Sequence, residues 1–103
     1  MDDNLRSIAK VDRVVHEPAR LIILAILNVV GSADFVYLRR ETGLTGGNLS
    51  AHLLRLEEAG YITIEKTFRG RVPQTVCRLT EQGRAAFSDY RDSLKRVVDS
   101  MPK

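Results

Sequence analysis

The clearest pattern of apolar and polar positions lies in residues 43–61, GLTGGNLSAHLLRLEEAGY. Leu49, Leu53 and Leu56 recur at helical spacing and form one apolar face. Asn48, Ser50, His52 and Arg55 fall on the other face. The spacing predicts a helix over about Gly46 to Ala59, with Thr45 as its N-cap and Gly60 as its stop. Beyond Gly60, Tyr61 to Phe68 alternates as a strand with Ile62 and Ile64 inward. Arg69-Gly70-Arg71 reads as a turn, with Gly70 free to take positive φ. Val72 to Leu79 returns as a second strand, and Pro73 at its start loses no essential ladder bond.

Four more helices fit around this unit. Leu5, Ile8, Val11 and Val15 predict a first helix over residues 3–15, which Glu17-Pro18 ends. Pro18 suits the first turn of a second helix that runs to about Val30. That helix is apolar almost all round, so it should be the most buried element. A third short helix, Phe35 to Glu41, can be capped by Asp34 or Ser32 and ends at Gly43. Thr80 caps the last helix, about 80–101, whose stripe is Phe87, Tyr90, Leu94, Val97, Val98 and Met101. The expected fold class is mainly α with a small β-hairpin, in a single domain spanning residues 1–103.

Charge adds to this picture by its placement. Residues 39–78 hold seven bases and four acids, which accounts for the whole net charge of +3. The excess falls on the segment from the third helix to the second strand, where a polyanion would dock. Cys77 is the only cysteine, so no internal disulfide or cysteine metal cluster can form, and a reducing cytoplasm is expected. The acidic start Met1-Asp2-Asp3-Asn4 does not read as a signal peptide. The apolar run Leu21 to Val30 is about half a bilayer span and reads as a core helix. No paired carboxylates, phosphate loop or nucleophile–His motif points to an enzyme, and neither a cofactor nor a metal is expected.

The exposed side of the 46–59 helix carries the candidate chemistry. Asn48 can bond an adenine edge or merely satisfy the helix start, and Arg55 can bond guanine or phosphate. Ser50 suits a phosphate. His52 sits at the edge of the apolar face, where a structural or phosphate role outweighs metal binding. Gly46 and Gly47 cost helix stability, yet their bare backbone would let N–H groups approach a phosphate. Arg69 and Arg71 flank the turn glycine, where arginines can enter a narrow minor groove or stay solvated. Arg39 and Arg40 could touch phosphates from the flank. Cys77 shares a strand face with Thr75 and Leu79 and reads as a small buried hydrophobe rather than a redox switch.

The segments RLIILAIL (20–27), LSAHLLRLEEAGY (49–61), PQTVCRL (73–79) and TEQGRAAF (80–87) resemble small one-domain transcriptional regulators of the winged-helix HTH_34 type, relatives of the MarR and ArsR families. The resemblance covers roughly residues 16–95. It implies a dimeric, sequence-specific DNA-binding regulator in a prokaryotic cytoplasm. Carried over by position, the groove-facing residues are Gly47, Asn48, Ser50, Ala51, Leu54 and Arg55, after the turn at Thr45 and Gly46. The wing is Phe68 to Pro73 within the hairpin of about 61–79, with Arg69 and Arg71 at its tip. Leu54 departs from the pattern, since relatives often carry Arg or Lys there. It can pack on a thymine methyl or lie on the helix flank. Paired cysteines of metal-sensing ArsR relatives are missing from FVYLRRE (35–41).

The terminal helices are expected to be dimerisation helices. Tyr90, Leu94, Val97, Val98 and Met101 on the last helix would meet Leu5, Ile8, Val11 and Val15 on the first across a two-fold axis. The expected function is a repressor that binds a palindromic operator in double-stranded DNA as a homodimer. A small-molecule effector is possible, but no polar cluster in the sequence marks its pocket. The competing expectation is a winged helix that binds protein and not specific DNA.

Overall fold

A computed structural model describes residues 6–102, apart from the side chains of Ser7 and Ile8. A short 3-10 helix at Ser7–Lys10 comes first. It is followed by α1 (Pro18–Val30), β1 (Ser32–Asp34), α2 (Phe35–Thr42), α3 (Gly46–Glu58), β2 (Ile62–Arg69), β3 (Val72–Leu79) and α4 (Glu81–Ser100). The core is one apolar cluster. Ile23, Leu24 and Leu27 of α1 meet Leu38 of α2, Leu49, Leu53 and Leu56 of α3, Ile62, Cys77 and Tyr90. α1 contributes three fully buried side chains and sits at the centre, as its all-round apolar sequence requires.

Each helix start is set by a side chain that accepts an otherwise unpaired backbone N–H. Glu17 accepts from Arg20, Asp34 from Tyr37, Thr45 from Asn48 and Thr80 from Gly83. Of the two caps considered for α2, Asp34 is the one used. At Glu17 burial works to raise the carboxyl pKa, but backbone bonds from Arg20 and Ala19 together with the His52 and Arg20 side chains hold it below the usual range. The bond from the Tyr37 N–H does the same for Asp34, with help from the Gln74 side chain.

The sheet is antiparallel with strand order β1-β3-β2. β2 and β3 form the expected hairpin, from Ile62 opposite Leu79 to Arg69 opposite Val72. Gly70 takes φ 64° at the first central position of its two-residue turn, the II′ pattern, and Arg71 follows at negative φ. The third strand is a departure from expectation. Ser32, Ala33 and Asp34 pair with Arg78, Cys77 and Val76. Three residues are too few to show an alternation, so this strand exists through its partner and not through its own pattern.

The expected first helix over residues 3–15 is corrected where the chain is described. The 3-10 helix stops at Lys10 and residues 11–17 are irregular. Asp12 is the cause. Its carboxylate accepts the Val14 N–H at 2.8 Å. Such local bonds offer the backbone an alternative to a continuing helix. The other Asp12 oxygen accepts from the Tyr61 hydroxyl.

Candidate nucleic-acid interface

α3 presents its outer side to solvent because its inner side is fully used. Leu49 and Leu56 are completely buried and Leu53 nearly so. Gly47, Asn48, Ser50, Ala51, Leu54 and Arg55 lie on the outer side, and Leu54 is 52% exposed. Thr45 is spent as the cap, its hydroxyl 3.2 Å from the Asn48 N–H. That bond takes the backbone of Asn48 and leaves its side-chain amide outside. A Cβ at Gly47 would meet nothing within 4 Å, so this first turn is open to a backbone approach. A Cβ at Gly46 would lie 3.9 Å from an Arg39 guanidinium nitrogen. Arg39 therefore stands beside the start of α3, although it belongs to α2. Arg40 is turned to the Tyr37 ring, its guanidinium carbon 6.0 Å from the centroid.

Two residues of the outer set face sideways. Ser50 and Leu54 line a cleft of about 660 Å³ between α3 and the hairpin, together with Leu53, Glu57, Ile64 and Lys66. Leu54 lies on the side of α3 that faces the hairpin. At the hairpin tip, Arg69 and Arg71 are both exposed on either side of Gly70. The expected DNA-facing residues thus form an exposed α3 side, a basic hairpin tip and a cleft between them.

His52 lies on the inner flank. Its Nδ1 is 3.2 Å from an Arg20 guanidinium nitrogen and 3.6 Å from a Glu17 carboxylate oxygen. Arg20 also donates to the carbonyls of Val14 at 2.6 Å and Arg13 at 3.3 Å. One guanidinium thus ties α3 to the start of α1 and to the segment before it. The sequence pattern does not reveal this tether, because Arg20 and His52 are 32 residues apart and share no spacing rule. No group of His, Cys, Asp and Glu among the described residues could hold a metal ion.

Cys77 is completely buried on β3, and its thiol pKa is pushed up to about 11 by burial and by the nearby Glu57 and Asp34 charges. A thiol in that state is a poor nucleophile, which fits the reading of a small buried hydrophobe.

The chain matches the HTH_34 winged helix DNA-binding domain over residues 19–98. It belongs to that winged-helix family. The match spans α1 through nearly all of α4, so the domain includes both α3 and the hairpin. The winged-helix chain is 38% identical over 79 residues to the uncharacterized protein MJ0432 of Methanocaldococcus jannaschii, covering 76% of this chain and 85% of that one. It is 32% identical to a transcriptional regulator homologue of Pyrococcus horikoshii whose structure superposes with TM-score 0.87, covering 95% and 96% of the two chains. NadR in complex with 4-hydroxyphenylacetate shares the fold at TM-score 0.69 and 21% identity, with 85% of this chain and 62% of NadR covered. The winged-helix chain is a DNA-binding transcriptional regulator and not an enzyme. The matched range includes the two segments expected as recognition helix and wing, α3 and the β2–β3 hairpin. Among the described residues no helix is long and apolar enough to cross a membrane.

The expected dimerisation set divides. Val15 is fully buried and Tyr90 nearly so within the chain's own core, where Tyr90 also bonds His16 Nδ1 at 2.8 Å. Val97 is likewise buried, and Val11 and Leu94 are half-buried against the core. Val15, Tyr90 and Val97 have little or no surface left for a partner and are removed from the set, while Val11 and Leu94 keep part of theirs. The 3-10 helix lies against α4 of the same chain. Val98 and Met101 remain, each 55% exposed. Leu5 and the Ile8 side chain lie outside the described residues.

The same packing leaves a cavity of about 370 Å³ between residues 10–12, Tyr61 and α4. Its polar lining includes Lys10, Asp12, Tyr61, Gln82, Asp89 and Ser93. The sequence left it unmarked because these groups come from three separated stretches. Burial and the Asp12 carboxylate push the Tyr61 phenol up to about 12.

Proposed function

We propose that this winged-helix regulator is a repressor that binds a palindromic operator as a homodimer in the cytoplasm. α3 enters the major groove with Asn48 and Arg55 toward base edges and Ala51 beside them. The open turn at Gly46 and Gly47, with Ser50 and Arg39, takes phosphates. Arg40, held on Tyr37, lies at the edge of this footprint. The wing carries Arg69 and Arg71 to the minor groove or the backbone. The observation that carries the reading is the pairing of an exposed, polar α3 side with a basic hairpin tip in one chain. A protein-interaction module would have no need of bases at both places.

The two-fold contact is assigned to the far end of α4, where Val98 and Met101 are exposed beside half-buried Leu94. A dimer would set two α3 helices about one helical turn of DNA apart. A small-molecule effector would find room in the cavity beside Tyr61. NadR, which shares the fold, is described with 4-hydroxyphenylacetate bound.

Two variants test the DNA surface. Arg55→Ala should weaken specific binding by about 1–3 kcal/mol and relax preference at one position. Arg69→Ala with Arg71→Ala should weaken binding to all sequences and lower the salt slope by about two. Unchanged binding in both would assign the surface elsewhere.

A further inference from the structure

Phe68 is an aromatic side chain that the core does not use. Strand alternation and the cross-strand register put Ile62, Ile64, Lys66 and Phe68 on one face of the hairpin, opposite Leu79, Cys77, Thr75 and Pro73. The first half of that face is covered: Ile62 and Cys77 are buried under the helices and Ile64 is half-buried. Lys66 then lines the cleft against α3. Phe68, two residues further toward the tip, is 69% exposed, with the rigid Pro73 opposite it. Nothing among the described residues covers the ring.

Its surroundings select one kind of cover. Lys66 lies on the same face, and Arg69 and Arg71 follow at the turn, all three exposed. Glu65 and Arg69 fall on the opposite face by alternation. An exposed ring with Lys66 on its own face and Arg69 and Arg71 at the adjoining tip fits a polyanion that also offers apolar surface. Six residues of strand separate Phe68 from the buried Ile62, about 20 Å.

The geometry points to Phe68 as a DNA-contacting residue of the wing, which sets its ring against the sugars and base edges of the minor groove while Arg69 and Arg71 hold the flanking phosphates. This rests on the DNA-binding reading above and adds to it a second means of selection. Apolar side chains inserted at the minor groove partly unstack a base step. Pyrimidine–purine steps yield most easily, so Phe68 would favour a TA or CA step under the wing without any hydrogen bond to a base.

The chain has no tryptophan, so the Phe68→Trp variant carries a single indole whose emission reports on the wing alone. The probe is a fluorescein-labelled, mixed-sequence duplex of about three helical turns at low salt, with anisotropy reporting binding in the same cuvette. The inference expects the indole emission of Phe68→Trp to be quenched as the duplex binds. It also expects Phe68→Ala, with an unchanged melting temperature, to bind about tenfold more weakly at every salt concentration. The salt slope of Phe68→Ala should match the native protein, since no charge is lost, unlike that of the Arg69/Arg71 variant. A native protein that binds, while the indole emission of Phe68→Trp stays constant and Phe68→Ala binds equally well, overturns the role of Phe68 alone. A native protein that binds no duplex, even at low salt, overturns the DNA-binding reading and this inference with it.

Discussion

Gly83 shows how much one missing side chain can decide. It sits in the first turn of α4, and a Cβ there would fall 2.1 Å from the Tyr61 carbonyl oxygen. That oxygen accepts the Thr80 N–H, so the clash would strike the junction between β2, β3 and α4. Gly83→Ala should cost about 1–3 kcal/mol by overpacking, read as a lower melting temperature. A stability equal to native would show that the junction relaxes freely. The sequence pattern does not mark Gly83, because the carbonyl it accommodates belongs to a distant residue, Tyr61. Cys77 was legible, since an apolar strand face predicts its burial. Its raised pKa predicts a thiol silent to thiol reagents in the folded protein and reactive in denaturant. Rapid modification in native buffer would contradict that.

Secondary-structure elements were legible in proportion to their own periodicity. α3 and the hairpin carry their apolar spacing and turn residues in a short contiguous stretch, so the helix, its glycine stop and the turn could all be read directly. β1 has no such signal, and the expected first helix was read from spacing alone, without the competing bond that Asp12 makes. The exposure of Asn48 and Arg55 followed from α3's periodicity. The sideways setting of Ser50 and Leu54 did not, because it depends on where the hairpin crosses the helix. Asp34 offers a test at this level, as it ends β1, caps α2 and bonds Gln74. Its folded pKa lies below the ordinary value of 3.8, so its contribution is present above that value and is lost as pH falls through the folded one. Asp34→Ala should lower stability by about 1 kcal/mol near neutral pH, and the difference should shrink as the pH falls below the ordinary carboxylate value. A difference independent of pH would mean that the carboxylate charge is not what caps α2.

At the level of the assembled protein, the sequence overstated the apolar surface available for dimerisation. Periodicity counts every apolar position of a long helix, but the 3-10 helix and the irregular residues behind it cover much of the α4 stripe within the protomer. Val98 and Met101 are the exposed remainder. Light scattering at micromolar concentration should give twice the chain mass, and Val98→Glu with Met101→Glu should return it to a monomer with weakened operator binding. A native monomer would place the two-fold contact, or the need for one, elsewhere. The central claim is that α3 and the wing together read DNA, and one selection tests it most directly. The purified protein is mixed with fragments of its own genome near physiological salt, and the retained fragments are sequenced. The account predicts enrichment of an inverted repeat with half-sites about one helical turn apart. Recovery of no fragment, even at low salt, would contradict it and turn the same exposed surface into a site for protein partners.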